Sequence, residues 1–150
     1  MIETDGILRP TLAGLLMFGS YPQRFEQQMV VVFLQFYGTT TTEEAPSGER
    51  FLDNRKFEGT VKEIIDNATD YVMAGMRKGS LIRGVTREDI PEYPEVALRE
   101  AIVNAVAHRD YSIDGASIEV WMFEDRIEVR SPGLPPKPVT VEALNRQDFI

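Results

Sequence analysis

The sequence predicts an α+β domain in which a mixed or antiparallel sheet carries helices packed on one face. Three observations lead there. The run Met29 to Tyr37, MVVVFLQFY, is a nearly continuous apolar and aromatic stretch of strand length. Ile118, Val120 and Met122 alternate with Glu119, Trp121 and Phe123; beyond Glu124 and Asp125, Ile127 and Val129 alternate with Arg126, Glu128 and Arg130, as in a hairpin. Two further stretches, near 60–76 and 94–109, repeat apolar residues at helical spacing.

Composition narrows the choice of chemistry. A chain of 150 residues with 43% hydrophobic content can bury one core, and no internal repeat or linker divides it, so a single domain over 1–150 is expected. The absence of cysteine excludes disulfides, zinc-thiolate centres, iron-sulfur clusters and cysteine nucleophiles. It fits a reducing cytoplasm, the expected location. No apolar run approaches the roughly 18 residues of a membrane span, and the polar opening MIETDGILRP does not read as a secretion leader. No membrane partner is therefore expected. A net charge of −8, from 24 acidic and 16 basic residues, works against direct binding to a phosphate backbone. Arg77, Lys78, Arg83 and Arg87 form a small basic cluster that could attract an anion, although a solvated edge is the simpler reading.

Taken in order, Thr11 suits the N-cap of a short helix, TLAGLLMF, that Gly19 would end, and YPQRF makes a turn. The strand over 29–37 reads as covered on both faces. Gly38 to Glu49, GTTTTEEAPSGE, is expected to be an exposed loop that could be mobile, a plain connector being favoured over a phosphorylation or ligand-binding segment. RFLDNRKF is a strand candidate. Thr60 and Glu63 then form a T-x-x-E capping box at the start of a helix whose Val61, Ile64, Ile65, Ala68 and Val72 should face the core. SLIRGV reads as a short strand and TREDIPEY as a connector. Pro94 suits the first turn of a helix running to about Arg109. After the hairpin, SPGLPPKP must leave the sheet because proline lacks a ladder donor, and TVEALNRQDFI reads as another short helix.

The helix near 94–109 is built mainly of Ala, Val and Ile, yet it carries Glu100, Asn104 and His108, each four residues from the next. A step of four turns a helix by about 40°, so the three form a narrow polar line. Small Ala97 and Ala107 lie beside it and leave space above the helix. These residue types suit magnesium-nucleotide chemistry. An asparagine oxygen can join phosphate oxygens around Mg²⁺, a glutamate one turn away can orient or deprotonate water, and a histidine can touch a phosphate or ribose. A structural role is the alternative, and spacing alone favours it: Glu100 would pair with Arg99 or a neighbouring strand, Asn104 would bond a loop carbonyl, and His108 would cap the helix. His108 is the sole histidine and no G-x-S-x-G is present to support a serine triad. HRDY at 108–111 is similar to the start of a kinase catalytic loop, but Gly115 stands where that loop needs asparagine. No G-x-x-x-x-G-K-[ST] segment occurs.

YPEVALREAIVNAVAHRDYSIDG followed by FEDRIEVRSPGLPP closely resembles the C-terminal region of bacterial RecG-related transcriptional regulators, whose N-terminal domain is AlbA-like, of Schlafen type, and binds DNA. RPTLAGLLMFGSYPQRF resembles the segment joining the two, so the likeness spans nearly the whole chain. On this resemblance, 1–90 is a joining segment packed against 94–150, which holds the helix, hairpin and SPG loop of a partial Bergerat-like (GHKL) ATP-binding fold, the fold of gyrase, Hsp90, histidine kinases and MutL. The resemblance implies ATP and Mg²⁺ as cofactors. By motif match, Glu100 of E-x-x-x-N is the water-activating acid and Asn104 the magnesium ligand; His108 with Arg109 is expected at the phosphates, and Ser131 and Gly133 at the nucleotide.

The departures bear on function. The larger group opens the loop after the hairpin with an aspartate that reads the adenine amino group; this chain has Ser131, which can accept one hydrogen bond but lacks the fixed charge. Only Gly133 remains of the two glycines usual after the proline, and the sequence given stops at Ile150, before the second glycine-rich box and lid. This piece alone is expected to bind ATP poorly. The resemblance thus implies a regulatory domain of a RecG-related DNA-binding regulator, with Mg-ATP binding and weak ATPase activity reserved for the full-length protein. DNA would be contacted by other domains, a second copy is a conceivable partner, and helicase activity is not supported. The alternative is a non-catalytic interaction or dimerisation module that has lost nucleotide binding.

Overall fold

The computed structural model describes residues 2–76, 78–83 and 86–134. It begins with a two-stranded hairpin, β1 (Ile2–Thr4) and β2 (Ile7–Arg9). Between them, Asp5 and Gly6 have φ of 54° and 74°, the left-handed pair that a two-residue hairpin turn requires. This hairpin lies within the opening read above only as polar, where the Asp-Gly pair was its signal.

Helix α1 (Leu12–Phe18) starts as expected, with the Thr11 hydroxyl accepting from the Gly14 N–H at 3.0 Å. Gly19 does end it, but in extended backbone; glycine is needed there because a Cβ would lie 2.5 Å from the Leu15 carbonyl oxygen. The YPQRF turn contains a 3₁₀ turn, Pro22–Arg24. Its buried Gln23 donates to the carbonyls of Met29 and Gly59 and accepts from the Gly59 N–H, so every polar group of that amide has a partner.

Strand β3 (Val31–Phe36) is followed by β4 (Phe51–Phe57) and helix α2 (Val61–Gly75). The predicted capping box is formed: Thr60 N–H donates to the Glu63 carboxylate at 2.8 Å, and Glu63 N–H donates to the Thr60 hydroxyl at 3.3 Å. Strands β5 (Lys78–Arg83) and β6 (Thr86–Pro91) pair antiparallel, so TREDIPEY is not a plain connector. Its acids and proline disfavour a strand locally, and pairing with β5 overrides that preference. Helix α3 (Glu95–Ala107) has Pro94 as its N-cap and ends two residues short of the predicted Arg109. Strands β7 (Ile118–Met122) and β8 (Ile127–Arg130) form the predicted hairpin, with Val120 opposite Val129 and Met122 opposite Ile127.

The main sheet has the order β4-β3-β7-β8, with β3 and β7 parallel and the other neighbours antiparallel. It is mixed, and α2 and α3 pack on one face, as expected of the α+β class. Val31, Val72, Ile102 and Val120 have no exposed surface and form the centre of that layer. Each such aliphatic side chain contributes roughly 1.5–3 kcal/mol by its removal from water. Of the five α2 residues assigned to the core, Ile64, Ile65, Ala68 and Val72 are buried and Val61 is partly so.

The expectation that β3 is sealed on both faces is corrected. Val31, Phe33 and Phe36 are buried, whereas Val32, Leu34 and Gln35 are only half-buried. A register shift between Gln35 and Phe36 accompanies a cluster of Phe36 with Phe51, Trp121 and Phe123, with ring centroids 4.8–5.1 Å from that of Phe36. Arg130 and Arg126 stack over Trp121 and Phe123 at 3.7 and 4.0 Å.

The 38–49 connector is tied down at its start. Thr39 N–H donates to Glu43 at 3.0 Å, Glu124 N–H to the Gly38 carbonyl at 2.9 Å, and Arg126 to the Thr39 carbonyl at 2.9 Å. The helix expected in TVEALNRQDFI lies outside the described residues. Among those described, no helix is long and apolar enough to cross a membrane.

Candidate functional site

Helix α3 turns its apolar residues Leu98, Ile102, Ala105 and Val106 into the core, which leaves Glu100, Asn104 and His108 exposed. The polar line predicted from their spacing is therefore present and reaches solvent. Glu100 does not pair with Arg99, whose guanidinium instead bonds Asp66 of α2 at 2.6 Å. The Asn104 amide donates to a Glu100 carboxylate oxygen at 3.1 Å. With its NH₂ directed at Glu100, the amide oxygen of Asn104 has no partner among the described residues and can act as an acceptor or metal ligand.

The helix end brings the SPG loop to this line. The last helical bond is made by the C-cap, and the next two carbonyls, which lack helical partners, are satisfied by side chains from beyond the helix. His108 N–H bonds the Asn104 carbonyl at 2.9 Å, the Ser131 hydroxyl bonds the Ala105 carbonyl at 2.7 Å, and the Tyr111 hydroxyl bonds the Val106 carbonyl at 2.7 Å. Asp110 N–H further bonds the Pro132 carbonyl at 2.8 Å. Gly133, with φ of 127°, brings its α-carbon so close that a Cβ would lie 3.0 Å from that of Asp110. Ser131 and Gly133 are thus fastened against the C-terminal end of the helix that carries Asn104 and His108.

Arg109 separates from the other candidates. It is 5% exposed, and its guanidinium donates to the carbonyls of Gln28 and Ile113 at 3.2 and 3.4 Å, inside the molecule. Burial lowers its pKa, while Tyr111, Asp110 and Glu26 act in the opposite direction. Its guanidinium therefore points away from the exposed face of α3, where Glu100, Asn104 and His108 lie. The HRDY block instead builds the helix terminus. His108 caps it, Arg109 turns inward, the Asp110 carboxylate accepts from Ser112 N–H and hydroxyl at 2.9 and 2.6 Å, and Tyr111 bonds back to Val106. Those Ser112 bonds hold the Asp110 carboxyl below the usual range. Tyr111 and Asp110 were missed in the sequence because their roles run through backbone carbonyls and amides, which leave no spacing pattern.

The principal recesses among the described residues are lined by other parts of the molecule, and none includes Glu100, Asn104 or His108. Nor do the described residues group three or more acids and histidine as a metal cage. A magnesium ion shared with phosphate oxygens does not need one, since Mg²⁺ commonly takes only one or two protein ligands. The free Asn104 oxygen fits that requirement. The basic cluster at 77–87 lies where side chains are outside the described residues.

Residues 115–148 match the family described as "Putative ATP-dependent DNA helicase recG C-terminal". That segment takes in β7, β8 and the SPG loop, and it begins after Glu100 and Asn104. No curated protein matches the chain. Among solved structures, the crystal structure of the DIP2311 protein from Corynebacterium diphtheriae is similar, with a TM-score of 0.66 and 26% identity. The likeness covers 87% of this chain and 24% of that one, so the chain spans about a quarter of that protein's length. From β7 onward, therefore, the chain is similar to the ATPase-like C-terminal region of RecG-related proteins, carried here on a mixed α+β fold.

Proposed function

We propose that this chain is a regulatory domain of a RecG-related DNA-binding transcriptional regulator, descended from a nucleotide-binding fold, and that it takes part in Mg-ATP binding in the full-length protein. The observation that carries the proposal is the Glu100–Asn104 pair, solvent-facing and bonded at 3.1 Å, on a helix whose end holds the SPG loop. Mg²⁺, when bound, would neutralise phosphate charge. The Asn104 oxygen would hold it, and the Glu100 carboxylate would orient a water. Ser131 spends its hydroxyl proton on Ala105, which leaves lone pairs able to accept from an adenine amino group. Gly133 would let the backbone approach the nucleotide. His108 remains for the phosphates, without Arg109. DNA would be bound by other domains of the parent.

Titration of the full-length parent and of this chain with Mg-ATP, followed through amide resonances, tests this reading. Shifts at Glu100, Asn104 and Gly133 that vanish in Asn104→Ala are the expected result. No shift in the full-length parent at millimolar ATP would remove the nucleotide site.

A second reading, an interaction or dimerisation module without nucleotide chemistry, is favoured by the apolar surface around the N-terminal elements. Phe18 is 85% exposed, Phe25 68% and Leu8 64%. Large apolar side chains so exposed suit contact with another domain or with a second copy. Sedimentation of the chain alone and joined to its parent distinguishes self-association from contact within one polypeptide.

A further inference from the structure

Strand β4 lies at one end of the β4-β3-β7-β8 sheet, and among the described residues nothing pairs with its outer edge. Such an edge presents a row of unpaired backbone N–H and C=O groups, a template for another strand. Over Phe51–Phe57 it reads FLDNRKF, and Phe51, Leu52, Asn54, Arg55 and Lys56 are exposed. Charges on an edge ordinarily turn a second strand away. Here they are set symmetrically about Asn54, with Asp53 before it and Arg55 after it.

Asp53 and Arg55 share the helix-bearing face of the sheet, and both meet Tyr71 of α2. The Tyr71 hydroxyl donates to the Asp53 carboxylate at 2.7 Å, and the Arg55 guanidinium lies 5.8 Å from the centre of the Tyr71 ring. That ring is packed edge-on against Phe33 and Phe57, so it holds both charges on one side of the edge. Neither charge has an ion pair among the described residues.

Backbone N–H and C=O groups point alternately to the two sides of a strand, so two antiparallel copies of β4 must be centred on a residue and not between two. Centring on Asn54 sets Asp53 opposite Arg55 of the second copy, twice by symmetry, and Leu52 opposite Lys56. Centring on Asp53 or on Arg55 sets two carboxylates or two guanidinium groups face to face. Opposite charges across a strand pair stabilise it, and like charges directly opposite destabilise it. The register shift opposite Phe36 leaves Leu52 without a partner in β3, whereas Asp53 to Phe57 run in unbroken register. The central residues of the pairing therefore have regular strand geometry.

We propose that two copies of this chain pair through β4 in an antiparallel, two-fold arrangement centred on Asn54, which joins the two sheets into one. The edge suits a second copy because an uncharged strand would leave Asp53 and Arg55 without opposite charges. The pairing uses neither Glu100 nor Asn104 and needs no nucleotide, so its failure and that of the Mg-ATP reading are separate. It also uses none of the exposed apolar side chains of the N-terminal elements.

The chain has no cysteine, so single introduced thiols report the register. Directly opposed Cβ atoms lie about 4.5–5.5 Å apart, close to disulfide reach. Under mild oxidation Asn54→Cys should form an intermolecular disulfide. Lys56→Cys, which faces Leu52 of the second copy, should cross-link at least tenfold more slowly. Asp53→Arg and Arg55→Asp each set like charges opposite one another, and each should weaken self-association at least tenfold by sedimentation equilibrium. Mixed in equal amounts, the two variants regain complementarity and should associate with each other. If either does not fold, the comparison of the two cysteine variants decides the question. A monomeric unmodified chain at millimolar concentration, equal cross-linking of the two cysteine variants, or no association of folded charge variants on mixing would overturn the proposal. Cross-linking in the chain but not in its full-length parent would assign the edge to another part of the parent and overturn it as well.

Discussion

The Ser131 hydroxyl donates to the Ala105 carbonyl at 2.7 Å, so the loop leaving β8 supplies a cap to the C-terminal turn of α3. Ala105 lies one residue beyond Asn104, and the bond therefore couples the loop position to the exposed polar line. Ser131→Ala should cost about 1 kcal/mol, since a half-buried helix-end carbonyl loses its partner. Urea unfolding measures the loss, and amide exchange at Asp110 should accelerate as the Asp110–Pro132 bond loosens. An unchanged midpoint and exchange rate would mean that the loop is held by other contacts.

Gly133 and Gly115 both have left-handed φ, 127° and 80°, but only Gly133 is crowded. A Cβ at Gly115 meets nothing within 4 Å, whereas one at Gly133 meets the Asp110 Cβ and amide nitrogen at 3.0 and 3.1 Å. Gly115→Ala should cost about 1 kcal/mol from the backbone alone. Gly133→Ala should cost more, on the order of 2–3 kcal/mol, because strain and crowding add. Equal costs by thermal unfolding would show that the loop yields freely.

The capping box makes α2 sensitive to acid. The Thr60 backbone N–H, and after it the Thr60 hydroxyl, hold the Glu63 carboxyl below its ordinary pKa. A depressed folded-state value contributes stability that is full above the unfolded value, about 4.3, and is lost as pH falls through the folded one. The unfolding midpoint should therefore be flat from neutrality to about pH 5 and decline below about pH 4.5. Glu63→Gln should be less stable at pH 7, and its difference from the parent chain should shrink on acidification. Parallel pH curves for the two would contradict this account.

Glu100 and Asn104 are both exposed, so their replacement should be nearly neutral for folding. Glu100→Gln and Asn104→Ala are expected to change stability by no more than about 0.5 kcal/mol. In the full-length parent, Asn104→Ala should remove Mg-ATP binding and Glu100→Gln should preserve binding while suppressing any hydrolysis. Calorimetric titration and phosphate release measure the two separately. A folding loss well above that bound would assign the pair to the scaffold.

What the sequence determined by itself is local. The Thr60–Glu63 box, the Thr11 cap, the alternation of β7 and β8 and the apolar stripes of α2 and α3 were legible because their spacing records which neighbours a side chain meets within its own element. The Asp5-Gly6 hairpin carried an equally local signal that was passed over. Only the tertiary structure decided that β6 is a strand, that one face of β3 is half-covered, and that the 38–49 loop is pinned by Arg126 and Glu124. It also separated His108 from Arg109, adjacent in the chain, placing one in solvent and the other 5% exposed among apolar side chains. The reason is physical: a helix end abandons the periodicity that predicts direction, and its free carbonyls take whatever donors the rest of the fold brings near.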